Sequence, residues 1–290
     1  NAFCLRGARI VFADSCATNP NIDPDQIEAL ITPRTRAIVV VHYAGIACDM
    51  DRILKIADHH NIPIIEDAAQ AIESFHRGRP LGTLGKFGAF SFHETKNIVA
   101  GEGGLLAIND EGSIGRAEII REKGTNRSAF FRGESNKYGW VDIGSSFLPS
   151  DIIAAHLYAQ LEQAEQIQSK RISIWDRYHT AFKDVLPARN ISLPDIPEWA
   201  SNNAHMYYIV MPDIDSRARL IATLGKKDIK AVFHYLSLHN SPYFHQMHDS
   251  RSLPNSDRYT DCLLRLPLYH GLSTQDQDSV IGEVISATAQ

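Results

Sequence analysis

No uncharged apolar run in this sequence approaches the roughly 18 to 20 residues that a helix needs to cross a bilayer. The first residues also lack the charged-then-apolar pattern of a secretory signal. A cytoplasmic location with no membrane partner is therefore expected. Cysteine is sparse: Cys4, Cys16, Cys48 and Cys262 form neither a C-x-x-C pair nor a zinc-like spacing, and the histidines are scattered. No metal site is expected, and the thiols read as small hydrophobes in a reducing compartment. There is no excess of positive charge, since the formal net charge is −5 with both signs interspersed, which argues against a nucleic-acid partner. A dinucleotide turn is missing too. Gly101-Glu-Gly-Gly104 lacks the G-x-G-x-x-G spacing and opens no helix, and no Tyr-x-x-x-Lys pair stands in a suitable place, so a nicotinamide enzyme is disfavoured. Internal repeats and low-complexity tracts are absent.

What remains has the composition of an ordinary globular protein, 44% hydrophobic and 22% charged, and 290 residues suit a large α/β domain with a smaller partner. Ala8–Asp14 has the β-branched character of a strand, and Asp23-Pro-Asp-Gln26 opens a helix. Arg36–His42 is a near-continuous apolar run, as in a strand buried on both faces of a parallel sheet. Asp49–His60 has a helical apolar stripe, Ile62–Glu66 is the next strand, and Phe87–Phe92 and Gly104–Asn109 are two more. This alternation predicts a mostly parallel sheet with flanking helices. A long helix is expected from Asp151 through Trp175 toward Val185, linking the domains, and the prolines between Pro187 and Pro197 mark a break. We therefore divide the chain into a large domain, 1–186, and a small C-terminal α+β domain, 187–290. The latter has strands at Met206–Met211 and Ala231–Leu236 and helices near Ser216–Leu224 and Ser273–Ala287.

In parallel sheets ligands collect beyond the carboxyl ends of strands. His42, Asp67 and Gln70 stand there, as does Lys96 just past Phe87–Phe92. A strand-end carboxylate paired with a strand-end lysine suits pyridoxal phosphate. That cofactor works best as an electron sink when a carboxylate keeps its ring nitrogen protonated, and a lysine can hold it and move a proton. Ser91 can donate a hydrogen bond to the cofactor phosphate. Each residue also has an ordinary reading: Asp67-Ala-Ala-Gln70 matches a variant helix capping box, Lys96 a solvated lysine, and Ser91 an inward strand serine.

Several ordered motifs carry a more specific likeness. They are Val41-His-Tyr-Ala-Gly45, Asp49-Met-Asp51, Ile65-Glu-Asp-Ala-Ala-Gln70, Gly82-Thr-Leu-Gly85, Phe90-Ser-Phe-His-Glu-Thr-Lys-Asn97, Gly101-Glu-Gly-Gly104, His234-Tyr235 with His239, and Leu266-Pro-Leu-Tyr269. In order and spacing the chain resembles the nucleotide-sugar aminotransferases of the DegT/DnrJ/EryC1/StrS family. The resemblance implies the α/β fold type I of pyridoxal-phosphate-dependent aminotransferases and a homodimer. It makes Lys96 the Schiff-base lysine, Asp67 the partner of the ring nitrogen, Gln70 a neighbour of the ring or its phenolic oxygen, and Ser91 a phosphate contact. His234 and Tyr235 match a segment near the sugar nucleotide, and Arg127 and Arg132 are candidates to neutralise its diphosphate.

The stretch from Arg121 to Phe147 is most similar to the branch acting in enterobacterial common antigen synthesis. That branch moves an amino group from L-glutamate to dTDP-4-dehydro-6-deoxyglucose, giving dTDP-4-amino-4,6-dideoxygalactose and 2-oxoglutarate. Sugar 3-aminotransferases share the core motifs and stay open as an alternative, as does a non-catalytic domain with this fold. Related dehydratases replace the lysine with histidine, so Lys96 argues against them. Ser146 and Leu148 stand where many relatives have Asn and Arg. Relatives also carry an N-terminal stretch with a helix start that donates N–H groups to the phosphate, and nothing here matches it. The resemblance thus implies that a chain of this length lacks part of the large domain and holds the cofactor weakly or folds poorly. A strong, stable cofactor absorbance on the purified chain would overturn that expectation.

Overall fold

The computed structural model describes residues 1–289. Its elements run α1 (Pro24–Ile27), β1 (Ile38–Val41), α2 (Met50–His60), β2 (Ile64–Asp67), a short hairpin of β3 (Phe75–His76) and β4 (Arg79–Pro80), β5 (Phe87–Ser91), β6 (Gly104–Ile108), α3 (Ile114–Arg121), α4 (Arg127–Phe131), α5 (Asp151–Glu162), α6 (Ala164–Phe182), β7 (Tyr207–Val210), α7 (Ile214–Gly225), β8 (Val232–Phe233), α8 (Pro254–Cys262), β9 (Leu263–Leu266) and α9 (Thr274–Ala287). The main sheet has the order β1-β2-β5-β6, its first three strands parallel and β6 antiparallel. A second, antiparallel sheet has the order β7-β9-β8.

Helix α2 forms because Asp49 caps its N-terminus, accepting from the Arg52 N–H at 3.2 Å, and Asn61 ends it in a left-handed conformation. Met50, Ile53 and Ala57 share one face and pack on Ile38, Val40 and Ile64. β1 alternates, however. Ile38 and Val40 are buried, while Val39 and Val41 are 37% and 44% exposed, so the strand read as buried on both faces is covered on one. The reason is that α2 lies over a single face of it.

Three further readings need correction. The run Ala8–Asp14 forms no strand ladder. Its groups are taken up elsewhere: Asp14 accepts from the Asn255 and Ser256 N–H groups at 3.1 and 2.8 Å, capping α8 from outside, and Arg251 donates to the Phe12 carbonyl. The single linking helix is two, since Gln163 leaves helical geometry between α5 and α6. And β9, unread in the sequence as a strand, is the central strand of the second sheet. Ile174, Trp175, Tyr178 and Phe182 of α6 pack into the core of that sheet with Tyr207, Ile209, Leu264 and Leu266, so α6 serves both halves of the chain.

One buried carboxylate organises the main sheet. Glu66 on β2 is fully buried and takes hydrogen bonds from His42 Nε2 (3.0 Å) and from the backbone N–H groups of Gly82, Leu84 and Gly85 (2.7, 2.7 and 2.6 Å). Burial alone would raise its pKa, but the bonds from His42 and the turn outweigh it and hold the group below its ordinary value. The turn lies so tightly on β5 that a Cβ at Gly88 would sit 2.2 Å from the Gly82 carbonyl oxygen, so glycine is required there.

A folded-state pKa below the unfolded one means that charged Glu66 stabilises the fold above about pH 4.5, and that this contribution fades as pH falls through the folded value. Glu66→Gln should therefore lower stability at pH 7 by about 3 kcal/mol. In urea melts the gap to wild type should shrink as pH drops below about 4.5.

Candidate active site

Because β1, β2 and β5 are parallel and in register, with Val41 beside Asp67 and Asp67 beside Ala89, their carboxyl ends open on one edge. His42, Asp67 and Ser91 end these strands. His42 is consumed internally by Glu66 and by the Cys48 N–H at 3.2 Å, so it is unavailable to a ligand. Asp67 faces the other way from Glu66 and accepts from the Ala69 N–H at 3.0 Å in a local turn. The capping-box reading fails here, as residues 68–74 form turns and no helix.

Lys96 lies past β5, half-buried. The lysine ion pairs among the described residues are Lys86–Asp110 and Lys227–Glu283, so its amine has no carboxylate within 4.0 Å. Burial lowers the Lys96 pKa, Asp67 counters by raising it, and Arg265 lowers it further. Lys96 and Asp67 are thus within electrostatic reach of each other, with the amine biased toward its neutral, nucleophilic form.

Gln70 is oriented by its carboxamide oxygen, which accepts from the Ala44 N–H at 2.6 Å. This leaves its NH2 group free to donate. Ser91 Oγ accepts from the His93 N–H at 3.3 Å, and its own proton is uncommitted among the described residues. His234 is bonded through Nδ1 to the Tyr43 hydroxyl. Burial, Arg265 and Lys96 push the His234 pKa down to about 4, and burial pushes that of Tyr43 up. At neutral pH both groups are therefore uncharged, and the bond joins a neutral phenol to a neutral imidazole. Tyr235 stands beside it, 80% exposed.

Two expected residues are engaged by carboxylates. Arg127 pairs with Glu122 at 2.5 Å and lies over the Phe131 ring, and Arg132 is held by Glu118 and Glu134 at 2.7 to 3.1 Å. Both guanidinium groups pair with carboxylates and stay part-exposed.

Sequence reasoning missed the polar joint beneath the site. The Asn97 carboxamide donates to the Asn203 carbonyl (2.8 Å) and to Gln168 (3.1 Å), and its oxygen meets His205 Nδ1 at 2.9 Å. Asn203 in turn donates to the Gln70 and Ile72 carbonyls, both at 2.8 Å. It packs so closely on Gly45 (φ +78°) that any Cβ there would overlap it. The neighbours of Lys96 and Gln70 are thereby tied to the start of the second sheet. The available signal was the polar run Asn202-Asn203-Ala-His205 directly before an apolar strand.

A family model described as the DegT/DnrJ/EryC1/StrS aminotransferase family matches residues 1–285. This chain belongs to that family. A spore coat polysaccharide biosynthesis protein, SpsC, from Bacillus subtilis is 33% identical over 293 residues, covering 98% of this chain and 75% of the relative. The aminotransferase TlmJ from Streptoalloteichus hindustanus superposes with a TM-score of 0.90 at 29% identity, covering all of this chain and 76% of that one. A sugar aminotransferase, Spr1654, from Streptococcus pneumoniae in its PLP form gives 0.88 at 25% identity, covering 99% and 77%. The chain is thus an aminotransferase of fold type I that uses pyridoxal phosphate.

The residues present fit that cofactor: a half-buried amine with no acidic partner, a carboxylate within its electrostatic reach, a carboxamide with free donors and a strand-end hydroxyl. Removing the Asp67 charge should lower the Lys96 pKa further. Competitive acylation of cofactor-free protein, read by mass spectrometry, should show Lys96 of the Asp67→Asn variant becoming reactive at lower pH than in wild type. An unchanged profile would mean that the two groups do not share a site.

Proposed function

We propose that this aminotransferase moves an amino group from L-glutamate to the 4-keto carbon of dTDP-4-dehydro-6-deoxy-D-glucose, giving dTDP-4-amino-4,6-dideoxy-D-galactose and 2-oxoglutarate. The observation that carries the reading is the Lys96 amine, deprived of an ion pair and lowered in pKa, within electrostatic reach of the Asp67 carboxylate. A polysaccharide biosynthesis relative and a sugar aminotransferase among the structural neighbours support a sugar acceptor. The likeness of Arg121–Phe147 to the enterobacterial common antigen branch supports amination at C4.

Pyridoxal phosphate, when bound, supplies the electron sink and the amino-group carrier. Lys96 would hold it and would carry a proton at Nζ, its pKa lowered chiefly by burial. Asp67 keeps the ring nitrogen protonated. Gln70 presents its NH2 to the ring side of the site, held by Ala44, and Ser91 donates to the phosphate. His234 and the exposed Tyr235 face the sugar nucleotide. The cofactor site falls in residues 1–186 and the His234 segment in 187–290. We place the enzyme in the cytoplasm, which its four free thiols suit. No helix among the described residues is long and apolar enough to cross a membrane. We also propose a homodimer, as the family likeness implies; Phe131, Trp140, Ile143, Phe147, Ile152 and Tyr158 are each exposed apolar side chains that a partner could cover.

Incubation with the cofactor, L-glutamate and the keto sugar should yield the 4-amino sugar by mass and NMR analysis. A 3-amino or deoxygenated product would refute the assignment. Lys96→Ala should lower turnover by at least about 10²- to 10⁴-fold, with the melting temperature nearly unchanged because the lysine holds no ion pair.

A further inference from the structure

Away from the cofactor edge, the start of α2 and the β3–β4 hairpin meet where two carboxylates face a buried imidazole. Asp49 caps the helix, and Asp51 follows it in the first turn. His76 of β3 is 2% exposed, and its Nε2 is buried with no hydrogen-bond partner. Asp51 Oδ2 stands 4.0 Å from that nitrogen, too far for a hydrogen bond. One donor atom from each of Asp49, Asp51 and His76 lies within 4.8 Å of the other two. A buried polar atom without a partner costs free energy, and this one stands before two anions that it does not reach. Burial lowers the His76 pKa, so at neutral pH the ring is uncharged and keeps a nitrogen lone pair. The bond from Arg77 holds the Asp51 carboxyl below its ordinary pKa, which keeps it ionised. A neutral imidazole and two carboxylates form a donor set for a divalent cation whose charge they balance. The imidazole favours a zinc-like ion over magnesium or calcium.

We propose that Asp49, Asp51 and His76 bind a divalent transition cation such as zinc, which ties the first turn of α2 to the β3–β4 hairpin. Ligands of a tetrahedral zinc, with bonds of about 2.0 to 2.1 Å, stand about 3.4 Å apart, so Asp51 has to move toward His76 by about half an ångström. Asp51 is half-exposed and paired with the more exposed Arg77, and a surface pair of that kind yields at little cost. His76 is the fixed ligand, since β3 pairs with β4 at this residue and its backbone also bridges to Ala200. Water completes the coordination. The hairpin further bonds to residues 199–201, with the Arg77 N–H donating to the Trp199 carbonyl and the Phe75 N–H to Ser201 Oγ, both at 2.8 Å. A cation here would brace the place where the chain leading to the second sheet crosses the first. The ligands lie on two elements distant in sequence, so the proposal departs from the expectation of no metal that spacing alone gave. Glu28, His59 and His60 form another group of three donors, but none of them is buried and His60 already bonds Glu28 at 3.2 Å.

The test uses the cofactor-loaded full chain, stripped of metal with a chelator and carrying His59→Ala and His60→Ala to remove the exposed group. Calorimetric titration with zinc chloride should show one equivalent bound, and His76→Phe or Asp51→Ala should weaken that binding by about 10- to 100-fold. With zinc at about 100 times its dissociation constant the melting temperature should rise by about 5 °C, a shift that Asp51→Ala should remove. Asp51 is half-exposed, so its variant decides the matter alone if His76→Phe does not fold. Absence of zinc binding by the His59→Ala/His60→Ala chain overturns the proposal, as does binding left unchanged in either variant that folds.

Discussion

The geometry of the site depends on a carboxylate that never touches it. A glutamate buried at 0% exposure is tolerable only when its charge is met in full, and Glu66 is met by one imidazole and three backbone donors. That arrangement fixes the direction of β2. With Glu66 locked onto the covered face, the two-residue period of a strand turns Asp67 to the other. A slip of one residue would bury Asp67 and present Glu66 at the site, and would leave the Gly82–Gly85 turn without its acceptor. The same turn presses on β5 through Gly88, so it also settles where Ser91 and the segment leading to Lys96 emerge.

The second constraint is the joint at Asn97, Asn203 and His205. Side chains from the cofactor edge and from the entry to the second sheet exchange hydrogen bonds there, and Arg171 of α6 closes the network by donating to the Ala204 and His205 carbonyls. Arg171 has no carboxylate partner among the described residues. It is buried among carbonyl oxygens, and burial lowers its pKa to about 10, which leaves it charged under ordinary conditions. Burial first, and then its charge and that of Lys96, keep His205 neutral. A neutral His205 donates or accepts at Nδ1 as Asn97 requires. Displacement of the second sheet would therefore be felt at the backbone that carries Lys96.

Much of the main sheet was legible because its strands are apolar runs bounded by turn residues: β1, β2, β5 and β6 lie within two residues of the sequence expectation, as does α2. Lys96 and Asp67 were legible as a pair only because strand ends in a parallel sheet share an edge. What escaped was set by partners distant in sequence. Ala8–Asp14 has strand composition, yet its polar groups are taken by residues 251–256, and local propensity carries no record of that. Val39 and Val41 have the composition of a doubly buried strand, while composition does not say how many faces are covered. Helices α3, α4 and α8 are short and weakly patterned, and β9 interrupts its apolar run with Arg265, so periodicity alone gave them little weight.

That interruption bears on the chemistry. An arginine in the middle of a sheet's central strand costs desolvation and packing that a leucine would not, so its position calls for a compensating partner. No carboxylate within the described residues supplies one, while two imidazoles and an amine in its field are all driven toward their neutral forms. Burial is the larger cause in each case, and the Arg265 charge adds to it. A transaminating lysine must be neutral to attack and to accept a proton, so a nearby fixed cation assists it as long as no anion is present.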